Sequence, residues 1–392
     1  MSDPASFAAT KRLIGHISLI GFATALSSRS VDPLVPPIAS SLGTDVARVA
    51  LLTTAFALPF ALVQPILGPL ADAVGKLRMM MACLTIIIVA SFVAATATSF
   101  PVLLAARVIG GMASGGVFPV GMALVGDMVT MSERQVALGR WLTMVMAGNL
   151  LGAAVAGVVA DLFGWRAVFI TVGLLGAGAM VNALVNLRAA ADVPRSSVSV
   201  QTMISGYRQV LKNPRAKFCF LTVFAEGIVL FGLFPYIAVL LVAGGEPRAS
   251  IAGIVIAAFS VGGLVYSMAV TNIVRLLTPP KMMLTGGCLA AVGFLMIAFN
   301  PPWFVQLVAC WLMGIGFFFL HGCVQVEASE LLPSARGTAL SMHSLFFFIG
   351  NAVGPIAYGL GFTYLGSTMS VLLGGLVMIL ISLMCAHYLR RT

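Results

Sequence analysis

SERQVALGRWLTMVMAGNLLGAAVAG (132–157) returns 202 residues further on as SARGTALSMHSLFFFIGNAVGPIAYG (334–359). The two stretches align without gaps and agree at eight of 26 positions, among them Gly148/Gly350, Asn149/Asn351, Gly152/Gly354 and Gly157/Gly359. The same offset pairs Pro33 with Pro235 and Gly164 with Gly366. An offset of about half the chain implies two duplicated halves. Both copies lie in long apolar runs, so the duplicated unit is a set of spanning helices.

Composition points the same way. The 392 residues are 60% hydrophobic and only 9% charged, with mean hydropathy +1.07. A soluble domain carries about 25% charged residues, so this chain cannot cover a water-facing surface. A spanning helix needs about 20 largely apolar residues. Twelve runs meet that length: 13–35, 47–70, 77–97, 101–123, 137–160, 166–187, 217–243, 250–272, 281–299, 303–325, 337–361 and 365–388. The polar, basic stretch 188–216 divides them six and six. The expected fold is an all-α membrane protein of twelve transmembrane helices in two pseudo-symmetric six-helix bundles. Residues 1–187 form the first bundle, 188–216 a cytoplasmic linker and 217–392 the second bundle.

The net charge of +10 reflects topology rather than nucleic-acid binding, because the basic residues fall between apolar runs. With the N-terminus inside, 17 of the 22 Lys and Arg lie on the cytoplasmic side. Only Arg48, Arg166 and Arg248 lie outside, and Arg29 and Arg107 lie within spans. This satisfies the positive-inside rule and puts both termini in the cytoplasm. Lys11 and Arg12 precede an apolar run with no small-residue cleavage site after it, so no cleavable leader is expected. The six cysteines lie in apolar runs without a CxxC pair and read as packing residues. No metal site or cofactor is expected.

Duplicated six-helix halves are a transporter plan, in which a site between the halves near mid-membrane is exposed alternately to each side. Four stretches carry a closer resemblance. GPLADAVGKLR (68–78) is similar to the G-x-L-a-D-r-x-G-r-k loop of the major facilitator superfamily. Gly68, Leu70, Asp72, Gly75 and Lys76 match, Ala73 and Leu77 depart, and Arg78 stands beside the second basic position. LLAARVIGGMASGG (103–116) resembles the helix 4 motif that carries Arg107. GNLLGAAVAG (148–157) resembles the helix 5 antiporter signature with Ala153 in place of proline, while GNAVGPIAYG (350–359) in helix 11 retains Pro355. DPLVPPIA (32–39) resembles a proline-rich end of helix 1. The chain thus resembles the superfamily's twelve-helix drug/proton antiporter group. The resemblance implies a latch loop of Gly68, Asp72, Gly75, Lys76 and Arg78, with Asp72 near an arginine of its own half. Asp127 and Arg134 lie in the neighbouring cytoplasmic loop, and their second-half counterpart is the cluster Glu327, Glu330 and Arg336.

Charges inside spans mark functional sites. Asp32 and Arg107 sit in the outer parts of helices 1 and 4 and are expected to be partners. Asp32 then alternates between pairing with Arg107 and accepting a proton. Arg29, one turn before Asp32, competes as partner. The alternative is that Asp32 caps the next segment at the water boundary with Arg29 snorkelling outward. Glu226, roughly 13 Å into helix 7 at 1.5 Å per residue, is a lone carboxyl readily switched by a proton, or else a hydrogen-bonded structural one. His321 in helix 10 reads as a packed histidine ahead of a proton relay. Pro33, Pro36 and Pro235 bend or end helices 1 and 7. Gly148, Gly152, Gly157, Gly350 and Gly354 allow close packing.

Aromatic and amide residues on the cavity-side helices are Phe22, Phe231, Phe234, Tyr236, Trp141, Phe346, Phe347, Gln64, Asn149 and Asn351. A largely apolar, aromatic pocket suits amphiphilic substrates. The expected function is proton-coupled export of small amphiphilic or drug-like molecules, with sodium as the alternative coupling ion. The second reading is a narrow-specificity carrier of a sugar, amino acid or other metabolite. An enzyme is disfavoured by the lack of a P-loop, HExxH or GxSxG. The expected setting is a bacterial inner membrane, with a small-molecule substrate, the bilayer as partner, no nucleic acid, and a monomer sufficient for the architecture.

Overall fold

The computed structural model describes residues 4–187 and 200–389, and every regular element among them is helical. α1 (Pro4–Arg29) leads through a 3-10 turn (Asp32–Leu34) into the short α2 (Val35–Leu42). α3 (Val46–Val74), α4 (Lys76–Ala95), α5 (Phe100–Asp127), α6 (Met131–Phe163) and α7 (Trp165–Asn186) complete the first half. After α8 (Val200–Lys212) the second half begins with α9 (Ala216–Glu226), a π-turn (Gly227–Phe231) and α10 (Phe234–Ala243). It continues through α11 (Ala249–Leu276), α12 (Pro279–Ala298), α13 (Trp303–Ser329), α14 (Arg336–Tyr364) and α15 (Ser367–Tyr388).

Among the described residues, eleven helical runs are long and apolar enough to cross a membrane, with Ala216–Ala243 counted as one. Helices suit this role because they satisfy every backbone donor and acceptor internally. Their outward faces are apolar, as at Ile66, Leu174, Met268 and Leu380. The expected first span, 13–35, differs: α1 stops at Arg29 and is not among the eleven. Pro33 and Pro36 lack the amide donors needed to continue the helix, so the chain turns and restarts as α2. The expected linker is described only in part. Residues 188–199 lie outside the described residues, and α8 is an amphipathic helix seated on the second half. Val210 is buried, and Asn213 Nδ2 donates to the Leu331 carbonyl at 3.0 Å.

The apolar cores follow the two halves. Two clusters draw only on residues between 14 and 169 or 187, and the largest draws on 210–389 apart from Ala50 and Ala153. The repeat is visible in equivalent contacts. Gly148 brings α6 against the Phe22 carbonyl of α1, and Gly350 brings α14 against the Phe224 carbonyl of α9, 202 residues on in both partners. A Cβ at either position would collide with backbone. Gly164 and Gly366 start α7 and α15 with φ of 82° and 81°, a turn that side chains disfavour.

The halves pack through α6 on α11 and α3 on α14. They are drawn together at the end of the bundle that carries Arg166 and Arg248. There the 3-10 turn and α2 meet α10, and Gly157 packs on the backbone of Ala249. Nearer the middle, Thr54 Oγ1 donates to the Ala352 carbonyl at 2.6 Å, and Phe60 lies 4.4 Å from Phe348.

Candidate substrate and proton-coupling site

The break in helix 1 places Asp32 in a fully buried turn. Its partner is Arg29, with Nη1 3.5 Å from Oδ2, and Thr53 Oγ1 donates to Oδ1 at 3.0 Å. The expected direct pairing with Arg107 is therefore corrected. Arg107 is buried, and its guanidinium donates to three carbonyls: Ser27 at 3.1 Å, Ser28 at 3.5 Å and Leu52 at 3.5 Å. It also lies over the Phe56 ring at 4.2 Å. The physical reason is proximity. Residues three apart share a helix face, and α1 ends just after Arg29, leaving carbonyls that lack intrahelical donors. Arg107 satisfies those carbonyls instead of the carboxylate.

Arg29 also reaches across to the second half, with its Cζ 4.6 Å from the Phe231 ring and 5.4 Å from Phe234. In the repeat, Arg29 and Asp32 occupy the register of Phe231 and Phe234. Equivalent positions of the two halves thus meet face to face, an ion pair on one side and two rings on the other.

Glu226 is fully buried at the junction of α9 and the π-turn, a distortion that often marks functional sites. Its Oε2 and His321 Nδ1 share a hydrogen bond of 2.8 Å, while Oε1 has no hydrogen-bond partner among the described residues. His321 is therefore the carboxyl's partner, beyond the packing role expected for it. Its ring stacks on Phe317 at 4.5 Å and meets Phe347 edge-on at 5.3 Å. His343 completes the group, edge-on to His321 at 4.9 Å, with Nε2 buried and without a partner. Sequence reasoning passes over His343. The available signal is the repeat, which places it at the register of Trp141. Asn351 is buried with its Oδ1 unpaired, one turn of α14 from Phe347.

The remaining cavity residues divide. Phe22, Gln64, Asn149, Phe346 and Phe347 are half-buried. Asn149 Oδ1 accepts from Ser28 Oγ at 3.0 Å, and Phe346 stacks on Phe220 at 4.9 Å. Trp141 and Tyr236 are corrections, because both are core residues. Trp141 has no exposed surface and fills the space left by Gly21 and Gly121. Tyr236 donates to the Pro355 carbonyl at 2.9 Å. Phe231 and Phe234 are likewise buried, serving as the floor under Arg29.

A family model described as Major Facilitator Superfamily matches residues 17–355. This chain belongs to the major facilitator superfamily. It is 26% identical over 287 residues to Multidrug resistance protein 2 of Bacillus subtilis (strain 168), covering 70% of this chain and 69% of that one. It is 25% identical over 316 residues to Quinolone resistance protein NorA of Staphylococcus aureus (strain COL), covering 78% and 80%. A POT family transporter solved with 5-aminolevulinic acid shares the fold at TM-score 0.78 and 14% identity, covering 95% of both chains. A bacterial homolog of the human lysosomal transporter Spinster, solved inward-facing and unoccupied, matches at TM-score 0.72 and 17% identity, over 98% and 96%. The protein is accordingly a multi-pass membrane transporter.

In this superfamily member the α3–α4 loop holds a charge cluster centred on Lys76. Its Nζ lies 3.1 Å from Asp72 Oδ1 and 2.7 Å from Asp127 Oδ2. Lys76, four residues on along the turn, is thus a partner of Asp72. Arg134 donates instead to the Gly126 carbonyl at 3.0 and 3.3 Å, and Arg78 is exposed. Gly68 lies near the end of α3, and Gly75 joins the helices with φ of 107°. The second-half cluster splits into Arg215–Glu327 at 3.3 Å and Arg336–Glu330 at 2.8 Å. Gly152 and Gly354 press on Leu26 and on Ile228 and Gly232, respectively.

Proposed function

We propose that this protein is a proton-coupled exporter of small amphiphilic, drug-like molecules, working by alternating access in a bacterial inner membrane. The observation that carries the reading is Glu226. It is fully buried in a span, pairs only with His321 among the described residues, and keeps one oxygen unpaired. An ionised carboxylate is costly to enclose there, so its protonation biases which conformation the halves adopt. His321 holds Oε2 and supplies the ring through which a proton can leave. Asp32, fixed by Arg29 and Thr53 at the seam between halves, is the second proton-linked group.

The names of the relatives support a drug-like substrate class. So does the aromatic character of the ground between the halves, where Phe347, Phe348 and Phe60 adjoin. Energy comes from the proton gradient, and a monomer carries both halves of the site. With the Arg166 end facing outward, the described state is closed to the outside.

The test uses inverted membrane vesicles with an acid interior and a pH-sensitive dye. Lipophilic cations and neutral drugs are added to vesicles holding wild type, Asp32→Asn or Glu226→Gln. Substrate-triggered proton release is expected in wild type and lost in Glu226→Gln. Equal release in wild type and Glu226→Gln would assign coupling elsewhere. No release from any compound, with folded protein present, would sink the drug-export reading.

A further inference from the structure

We propose that Asp161 is the latch that holds the Arg166 end closed, by capping the first turn of α11 across the boundary between the halves. Asp161 lies in the last turn of α6, in the first half. Its Oδ1 accepts the Ala249 amide at 2.8 Å and its Oδ2 accepts the Ser250 amide at 2.9 Å, both at the start of α11 in the second half. The first amides of a helix have no intrahelical acceptor, and the helix dipole favours a negative charge beside them. α11 lacks a cap of its own, since its flanking residue Arg248 makes no side-chain cap bond. Arg248 is engaged elsewhere, with Nε and Nη2 on Glu246 at 2.7 and 2.6 Å. The carboxylate therefore supplies the acceptors that this helix needs, and they come from the other half.

The backbones are close enough for the cap to form because Gly157, one turn before Asp161, packs directly on Ala249, and Gly253 packs on Ala153. Separating the halves at this end breaks both hydrogen bonds and exposes the helix terminus.

The repeat shows that the device is one-sided. The register of Asp161 in the second half is Thr363, whose hydroxyl donates back to its own helix, to the Gly359 carbonyl at 2.9 Å. Gly359, one turn before it, faces the side chain of Ala47 in α3. Two interfaces related by pseudo-symmetry thus differ at the position that would supply the cap. At this end α6–α11 is joined by two hydrogen bonds, whereas the α3–α14 hydrogen bond from Thr54 to the Ala352 carbonyl lies nearer the middle, so opening at this end is limited by the Asp161 side.

The proposal rests on alternating access but not on proton coupling or on any substrate. The test is the distance between nitroxide labels at Thr98 and Leu365, one on each half at this end. The full chain is used in lipid nanodiscs, with the exposed Cys288 replaced by serine. Asp161→Ala is expected to raise the ratio of long to short distances about fivefold, the shift that loss of an exposed helix cap gives. Asp161→Asn, which keeps one acceptor oxygen, falls between wild type and alanine. Asp161 is exposed, so these variants fold. An unchanged distribution in Asp161→Ala overturns the latch. An equal shift in Arg248→Ala also overturns it, because closure then depends on an ion pair rather than on a capped helix. Neither result bears on Glu226, which the proton-release assay reads separately.

Discussion

Under the proposed proton coupling, replacing Glu226 by glutamine is expected to separate transport from the proton gradient. The substitution keeps the shape of the side chain and a hydrogen-bonding group toward His321, but removes the exchangeable proton. The cost to folding is confined to the charge-assisted part of one hydrogen bond of 2.8 Å, about 1–3 kcal/mol. The effect on coupling is larger. Asp32 keeps Arg29 and Thr53, whereas no Lys or Arg pairs with Glu226 among the described residues, so under the proposed mechanism the expectation is worked for one proton exchanged at Glu226 per cycle. Each pH unit is worth about 1.36 kcal/mol per proton. A gradient of about two units therefore supports roughly 100-fold accumulation of a neutral substrate at one proton each. Proteoliposomes with a fixed pH gradient and a radiolabelled substrate measure the plateau. Wild type is expected near that limit, and Glu226→Gln near equal concentrations while still exchanging label across the membrane. A Gln variant that reaches the wild-type plateau refutes the reasoning, because the driving proton then resides elsewhere.

Arg107→Lys is expected to lower the apparent melting temperature in detergent by several degrees. A lysine cannot donate to the carbonyls of Ser27, Ser28 and Leu52 together while lying over Phe56. Gly148→Val and Gly350→Val should abolish transport alike, since each forces a side chain into the equivalent backbone contact, on Phe22 or Phe224. Wild-type turnover in either variant would contradict that packing. In the α10–α11 loop, hydrogen bonds from Arg248 hold the Glu246 carboxyl below its ordinary value. A depressed carboxyl stabilises above its unfolded value and loses that contribution as pH falls through the folded one. Arg248→Ala should raise the Glu246 titration midpoint in a carbon-13 NMR titration. Melting temperature at pH 7 should not move measurably, because Arg248 is exposed and the pair is screened by solvent.

Much of the architecture is written in the chain. Apolar runs of spanning length, the 202-residue offset and the matched glycines determine a duplicated helical membrane protein, because lipid leaves few alternatives to helices. Charges within spans are equally legible. Asp32, Arg107 and Glu226 stand out because burying them is costly, and all three are buried. The partner of Asp32 that lies three residues before it in the chain could be read as a candidate too. What the sequence leaves open is which face of each helix meets which neighbour. A helix that is apolar all round carries no stripe to orient it. Only the tertiary structure therefore turns Arg107 onto carbonyls rather than Asp32, His321 onto Glu226 and His343 onto His321. It also brings Asp161 to the amides of a helix 88 residues away in sequence. That contact depends on the relative placement of the two halves, which no local pattern of residues encodes.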